Sequence, residues 1–277
     1  MTTVTPGELA SLGSAALPDE ELTASDLERC CFGPGARAVV HAQGAEVGAA
    51  AYVVRDFPEH GFKVAWLLFV AVAPDRQRRG AGRSLVEQVL DACRQDGVSE
   101  LHTGNAAPRY VWPGVDLSNT AALAFFQSLG FEPYDHALNM LLATSFRAPV
   151  PPGVVVERES GDGAVDLARR EFPHWEDEVA RGVEQGVTFA ARDAADGTTI
   201  AFACHSVNRH TWIGPMATDP RRGRSGAGHA LLGALAEDVA VRFGVPHAEI
   251  AWVAPIPFYA KAGAVAHRAF RIHRLRL

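Results

Sequence analysis

A chain of 277 residues with 48% hydrophobic and 21% charged side chains can bury one large core or two of ordinary size. Its net charge of −6 excludes the basic footprint of a nucleic-acid-binding protein. Apolar runs such as 66–72 are too short to span a bilayer, so no membrane partner is expected. The cysteines Cys30, Cys31, Cys93 and Cys204 follow neither a zinc spacing nor a secreted disulfide framework. The beginning lacks the basic-then-apolar pattern of a signal peptide. Reduced thiols, a cytoplasmic location and no bound metal are the expectation.

In chain order, Pro18-Asp19-Glu20-Glu21 and Ser25-Asp26-Leu27-Glu28 read as helix starts. Segments 36–40 and 47–54 read as strands of a hairpin around Gly44. Segment 65–72 is the next strand. It runs through a glycine-rich turn into a helix at 84–94, with Leu85, Val86, Val89, Leu90 and Cys93 on one face. Gly80 and Gly82 have no side chains, so the backbone there can approach a ligand closely. The first helical N–H groups lack intrahelical partners, and Arg76, Arg78, Arg79 and Arg83 add positive charge. Such a turn suits a phosphate or pyrophosphate. It is not a Walker loop, because Arg83-Ser84 stands where Lys-Ser or Lys-Thr is needed. It is not the dinucleotide fingerprint, because Leu85 stands at the third glycine.

Further on, 98–102 reads as a short strand and 107–118 as an irregular stretch. Segment 119–129 reads as a helix closed by Gly130, and 136–142 as a strand. Three prolines in 147–153 make a stiff linker, and the domain boundary is placed there: 1–147, a linker at 148–153, and 154–277. Beyond it the order returns. Segment 154–157 is a strand, 164–184 contains a helical region, 187–191 and 199–204 form a hairpin at Asp196-Gly197, and 212–218 is a strand. A second glycine turn follows. Pro74, Gly80, Gly82 and Leu85 answer at constant offset to Pro220, Gly226, Gly228 and Leu231.

Gln77-x-x-Gly80-x-Gly82, preceded by Val72-Ala73-Pro74, resembles the acetyl-CoA loop of the GNAT superfamily of N-acetyltransferases. With the repeat, the chain is similar to two GNAT domains in tandem, residues 1–31 being the least covered. The resemblance implies an α/β (α+β) fold, each unit a mixed, mostly antiparallel sheet flanked by helices with a splayed acetyl-CoA cleft. It implies acetyl-CoA as cosubstrate and a monomer or homodimer. The reaction it implies is acetyl transfer to a primary amine of a small molecule, by direct attack in a ternary complex. An amino-sugar-like acceptor is suggested by the segment Tyr110-Val111-Trp112-Pro113-Gly114-Val115.

By the same resemblance, main-chain groups at Val70 and Val72, and at Met216 and Thr218, face the thioester and pantetheine. Gln77, Arg78, Arg79, Gly80, Ala81, Gly82, Arg83 and Ser84 hold the pyrophosphate in the first half. Arg224, Ser225, Gly226, Ala227, Gly228 and His229 do so in the second, where Gly223 replaces the expected Gln or Arg. The helix of the first half carries Phe126 at the family's tyrosine position, and the second half keeps it as Tyr259, the implied proton donor. Tyr259 also fits a core residue with a satisfied hydroxyl.

The alternation of 248–253 puts Glu249, Ala251 and Val253 on one face. A carboxylate in so apolar a run is costly to bury unless paired or used, which makes Glu249 a candidate general base. Pairing with an arginine such as Arg268 accounts for it equally well. Its counterpart in the first half is His102. Phe172-Pro173-His174-Trp175-Glu176-Asp177-Glu178 suits a cationic acceptor, or simply a helix with a solvated acidic face. His205, His210 and Trp212 fall near the second cleft or on the surface. Two other functions fit the chain: a non-catalytic CoA-binding sensor or scaffold, on the strength of Phe126 and Gly223, and a protein or peptide amine acetyltransferase.

Overall fold

The computed structural model describes residues 4–222 and 226–277. The chain opens with α1 (Pro6–Ala16) and α2 (Ala24–Cys31). Each is started by a threonine in a capping box, Thr5 with Glu8 and Thr23 with Asp26. The expected helix start at Pro18 is instead a turn between them, because the reciprocal threonine caps lie elsewhere.

There follow β1 (Ala36–Val40), β2 (Gly48–Phe57), β3 (Phe62–Val72), α3 (Ala81–Gln95), β4 (Val98–Thr103), β5 (Val115–Asp116), α4 (Thr120–Ser128) and β6 (Glu132–Ala143). The second half holds β7 (Val154–Arg158), α5 (Gly163–Glu171), α6 (Glu176–Glu184), β8 (Thr188–Asp193) and β9 (Thr199–His205). It continues with β10 (Trp212–Thr218), α7 (Ala227–Phe243), β11 (His247–Ile250), α8 (Ile256–Lys261) and β12 (Val265–Arg276). The helical region expected at 164–184 is broken by a 3-10 turn at Pro173–Trp175, where proline cannot continue α5.

The chain divides into two compact units, and the line does not fall at the proline-rich stretch. One unit is 1–137 together with Ala269–Leu277, and the other is Leu138–Arg268. Segment 148–153 therefore lies inside the second unit. The cause is an exchange of strands. β12 pairs antiparallel with β4, His273 opposite Thr103 and Arg276 opposite Glu100, so the end of the sequence completes the first unit. The second part of β6 pairs antiparallel with β11, Met140 opposite Ile250 and Ala143 opposite His247, so it completes the second unit.

In the first unit, β1, β2 and β3 are antiparallel neighbours and β4 joins β3 in parallel. The apolar face of α3 (Leu85, Val86, Val89, Leu90, Cys93) packs with Leu67, Leu101 and Phe126. Each such buried side chain stabilises by about 1.5–3 kcal/mol. In the second unit, β7 to β10 are antiparallel and β11 joins β10 in parallel. α7 covers one face through Leu231, Leu232, Leu235 and Val239. α5 and α6 pack through Leu167, Ala168 and Val179 in a cluster with Phe202 and Cys204. All four cysteines are buried thiols outside any disulfide. Burial pushes the Cys204 thiol up to about 12, which makes it a packing residue rather than a nucleophile.

Candidate functional site

Each unit opens a gap between its two parallel strands. Ala73 N–H donates to Val47 O (3.0 Å), so Ala73 and Ala71 face β2. By alternation Val70 and Val72 turn their main-chain groups to the opposite edge. On that edge the pairing with β4 is registered only to Leu67 opposite Thr103, while β3 runs on to Val72. In the second unit Asp219 N–H donates to Ile200 O (2.8 Å), which turns Met216 and Thr218 away from β9. The pairing of β10 with β11 is registered only to Ile213 opposite Ile250. β11 is shorter than expected, ending at Ile250 rather than continuing through 253, because the chain turns at Trp252 (φ 53°).

At the mouth of each gap a helix starts without a cap. Gly80 and Gly226 occupy the N-cap positions of α3 and α7 with φ of 89° and 80°, and neither helix has a side-chain cap. A non-glycine residue is strained at that φ, so glycine is required by conformation as well as by access. The contrast with the threonine-capped α1 and α2 is informative. The N-cap residues of α5, α6 and α8 likewise make no side-chain hydrogen bond, but only α3 and α7 combine an uncapped start with a left-handed glycine at the N-cap, an arrangement that suits an anion. Ala81, Gly82, Arg83 and Ser84 form the first turn of α3, and Ala227, Gly228 and His229 that of α7. Arg224 and Ser225 lie outside the described residues.

The side chains around the two starts differ. Gln77 donates its amide Nε2 to Val72 O (3.0 Å), tying the turn back to β3. No carboxylate among the described residues pairs with Arg78 or Arg79, whereas Arg76 meets Asp75 (3.2 Å) and Arg83 donates to Ser128 O (3.3 Å). In the second turn the arginines are engaged by the protein itself. Arg221 binds Asp219 (2.8 Å) and Glu171 (3.0 Å), and Arg222 binds Asp193 (3.1 Å). His229 Nε2 is 3.1 Å from Phe258 O.

The residues expected to handle protons sit at equivalent places. Trp66 is opposite His102 in the first unit, and Trp212 is opposite Glu249 in the second. Glu249 Oε1 accepts from Asn139 Nδ2 (2.7 Å), and Asn139 Oδ1 accepts from Trp252 N–H (2.8 Å). This buried asparagine, not Arg268, is the partner of the carboxylate, which it orients without supplying a countercharge. His102 is bound on both ring nitrogens, by Tyr134 Oη (2.7 Å) and Glu100 Oε2 (3.0 Å), and burial holds it below the usual imidazole range.

Tyr259 lies in α8, 7% exposed, in the cluster that includes Met140, Ile250 and Leu231. Burial pushes its hydroxyl up to about 12. Phe126 is buried at the corresponding place in α4, stacked on His273 of β12 with centroids 6.3 Å apart.

Other candidates fall away from the gaps. His205 is fully buried, its Nε2 2.7 Å from Asp238 and its Nδ1 2.9 Å from Ser206, so it is structural rather than superficial. The acidic run at 176–178 is internally committed: Glu176 to Arg169, Asp177 to Arg181, and buried Glu178 to Asn208. Glu176 and Asp177 still face solvent, as the sequence reading allowed, and Glu178 alone is buried. Asn139 was missed in the sequence, although a lone amide within the apolar run 137–142 is a signal of a buried polar partner.

Fold and site together define a two-unit α/β protein in which each unit sets an uncapped, glycine-led helix beside a splayed pair of parallel strands. Residues 9–131 match the acetyltransferase (GNAT) family. That segment is a GNAT-family domain, the match covers less than half of the chain, and the mixed, mostly antiparallel sheets are those expected from the sequence. Over 67 residues, 24% of this chain, it is 42% identical to the [ribosomal protein bS18]-alanine N-acetyltransferase of Escherichia coli K12. The match spans 38% of that relative's length. A tandem GNAT protein from the clavulanic acid biosynthesis pathway superposes with a TM-score of 0.72 at 18% identity, covering 98% of this chain and 94% of that one. The GCN5-related glucosamine N-acetyltransferase region of a fungal multi-domain GH3 β-N-acetylglucosaminidase gives 0.76 at 18% identity, covering 98% of this chain and 37% of that one. Among the described residues no helix is long and apolar enough to cross a membrane.

Proposed function

We propose that this chain is an acetyl-CoA-dependent N-acetyltransferase acting on a primary amine of a small molecule. Direct attack in a ternary complex takes place in the second unit, while the first unit binds acetyl-CoA or CoA in a mainly structural or regulatory role. What supports this reading is that the second unit alone holds, beside its splayed strand pair, both a tyrosine in α8, Tyr259, and a carboxylate oriented by an amide, Glu249. Acetyl-CoA supplies the activated thioester. The amides turned to the gap at Met216 and Thr218 orient it, and the start of α7 holds its pyrophosphate.

Glu249 receives the amine proton on its carboxylate as the C–N bond forms and the C–S bond breaks. Asn139 fixes the carboxylate without neutralising it. Tyr259 keeps its proton at neutral pH and directs it to the departing sulfur. A phenol near 12 facing a thiol of ordinary value near 8.5 makes complete transfer roughly a thousandfold uphill. The hydroxyl therefore serves as a hydrogen-bond donor to the developing charge.

The test is a pair of variants assayed for acetyl-CoA-dependent thiol release across amino sugars, polyamines and aminoglycosides. Tyr259→Phe lowers kcat by about 10–100-fold with little change in KM for acetyl-CoA. Arg79→Glu leaves kcat within about twofold. The opposite pattern moves the chemistry to the first unit. A second reading, in which the acceptor is the terminal amine of a protein, is favoured by the name of the E. coli relative. Acetylated peptides in place of any small-molecule hit would establish it.

A further inference from the structure

The strand exchange buries an imidazole of which one nitrogen has no hydrogen-bond partner among the described residues. His273 is on β12, opposite Thr103 of β4, and is fully buried. Its main-chain N–H donates to Thr103 Oγ1 (3.2 Å), and the same oxygen is 3.5 Å from its ring Nδ1. Thr103 Oγ1 already accepts from the main chain, so we assign its hydrogen to Nδ1, and with that tautomer the ring proton is on Nε2. Nε2 is buried without a hydrogen-bond partner. An unmatched buried donor costs about 1–3 kcal/mol and calls for an explanation.

The corresponding place in the second unit supplies one. Thr103 ends β4 and Ile250 ends β11, each one residue after the equivalent pair His102 and Glu249. Opposite Thr103 stands His273, and opposite Ile250 stands Met140. The helix position facing this point is Phe126 in the first unit and Tyr259 in the second. Where the helix carries a hydroxyl the strand carries an apolar side chain, and where the helix carries phenylalanine the strand carries an imidazole. The two units hold one polar group each at the same place, drawn from opposite sides.

We infer that in the first unit His273 takes over the role of the missing tyrosine, donating its Nε2 hydrogen to the sulfur of a CoA thiol or thioester bound between β3 and β4. The inference rests on the reading that the first unit binds acetyl-CoA or CoA. No bond is made or broken in this step. A hydrogen bond replaces an unpaired donor, and the ligand's sulfur end gains a partner that a phenylalanine cannot give.

The experiment uses the full chain labelled with ¹⁵N-histidine, the His273 resonance being assigned by its loss in His273→Met. CoA and desulfo-CoA, which lacks the sulfur, are titrated separately. The expected result is that CoA shifts the Nε2 signal of His273 and desulfo-CoA does not. In His273→Met, CoA binds the first unit about tenfold more weakly while desulfo-CoA binds as before. The same variant melts at the same temperature as the parent or higher, because an unpaired buried donor has been removed. Adding Phe126→Tyr to His273→Met, the second unit's combination, restores the affinity. A purely structural histidine predicts the reverse, a lower melting temperature with unaltered discrimination between the two ligands, and that result overturns the inference alone. If Arg78→Glu with Arg79→Glu weakens no class of CoA site, the first unit holds none, and both the inference and its premise fall.

Discussion

The two units share a fold but have kept different parts of the equipment. The first retains Gln77 tied to Val72 and two arginines, Arg78 and Arg79, with no carboxylate partner among the described residues; yet Phe126 fills its tyrosine position. The second retains Tyr259, but Arg221 and Arg222 are bound by Asp219, Glu171 and Asp193. What both preserve is main chain: a glycine N-cap at positive φ, an uncapped first turn, and a strand whose amides face a gap. Backbone donors come with the fold and survive sequence change, whereas side chains that add charge or a hydroxyl can be lost singly.

The sharpest way to break the comparison is to remove residues 269–277. They supply fully buried Phe270 and Ile272 and the strand beside β4, so the first unit should lose its cooperative melting transition while the pairing partners of the second remain. Circular dichroism and differential scanning calorimetry would follow this, and two intact transitions would refute the exchange. A smaller effect is expected at the loops. Arg78→Glu with Arg79→Glu should weaken one class of CoA site by about tenfold in calorimetry, whereas Arg222→Ala should alter stability more than affinity.

The smallest effect is one of pH. The Arg221 guanidinium beside Asp219 holds its carboxyl down at about 2, and Ala73 occupies the equivalent place in the first unit. A depressed folded value means that the stabilisation is present above the ordinary 3.8 and is lost as pH falls through about 2. Between about pH 4 and 2 the second unit should therefore show a loss of stability that Asp219→Asn removes and that the first unit lacks.

The local features were legible in the sequence because their causes are local. The glycine turns, the apolar face of α3, the hairpins and the repeat each depend on neighbours within a few residues. Partner choice is not local. The 147–153 prolines read as a boundary, but pairing preferences between β12 and β4 leave no mark in either segment taken alone. Glu249 invited an arginine partner on electrostatic grounds, and the structure supplied Asn139, more than a hundred residues away. In the acidic run at 176–178 only the burial of Glu178 went unread, because its partner Asn208 comes from a turn thirty residues further along the chain.

The borrowed strand also sets an order of assembly. A ribosome releases β1 to β4 long before residues 269–277 exist, so the unit made first is the one finished last. Until then β4 presents an open edge through most of synthesis, a site where a nascent chain is exposed to mispairing with a neighbour. Folding yield should therefore depend on how quickly translation reaches β12, and chaperone occupancy should concentrate on the half that emerges earliest.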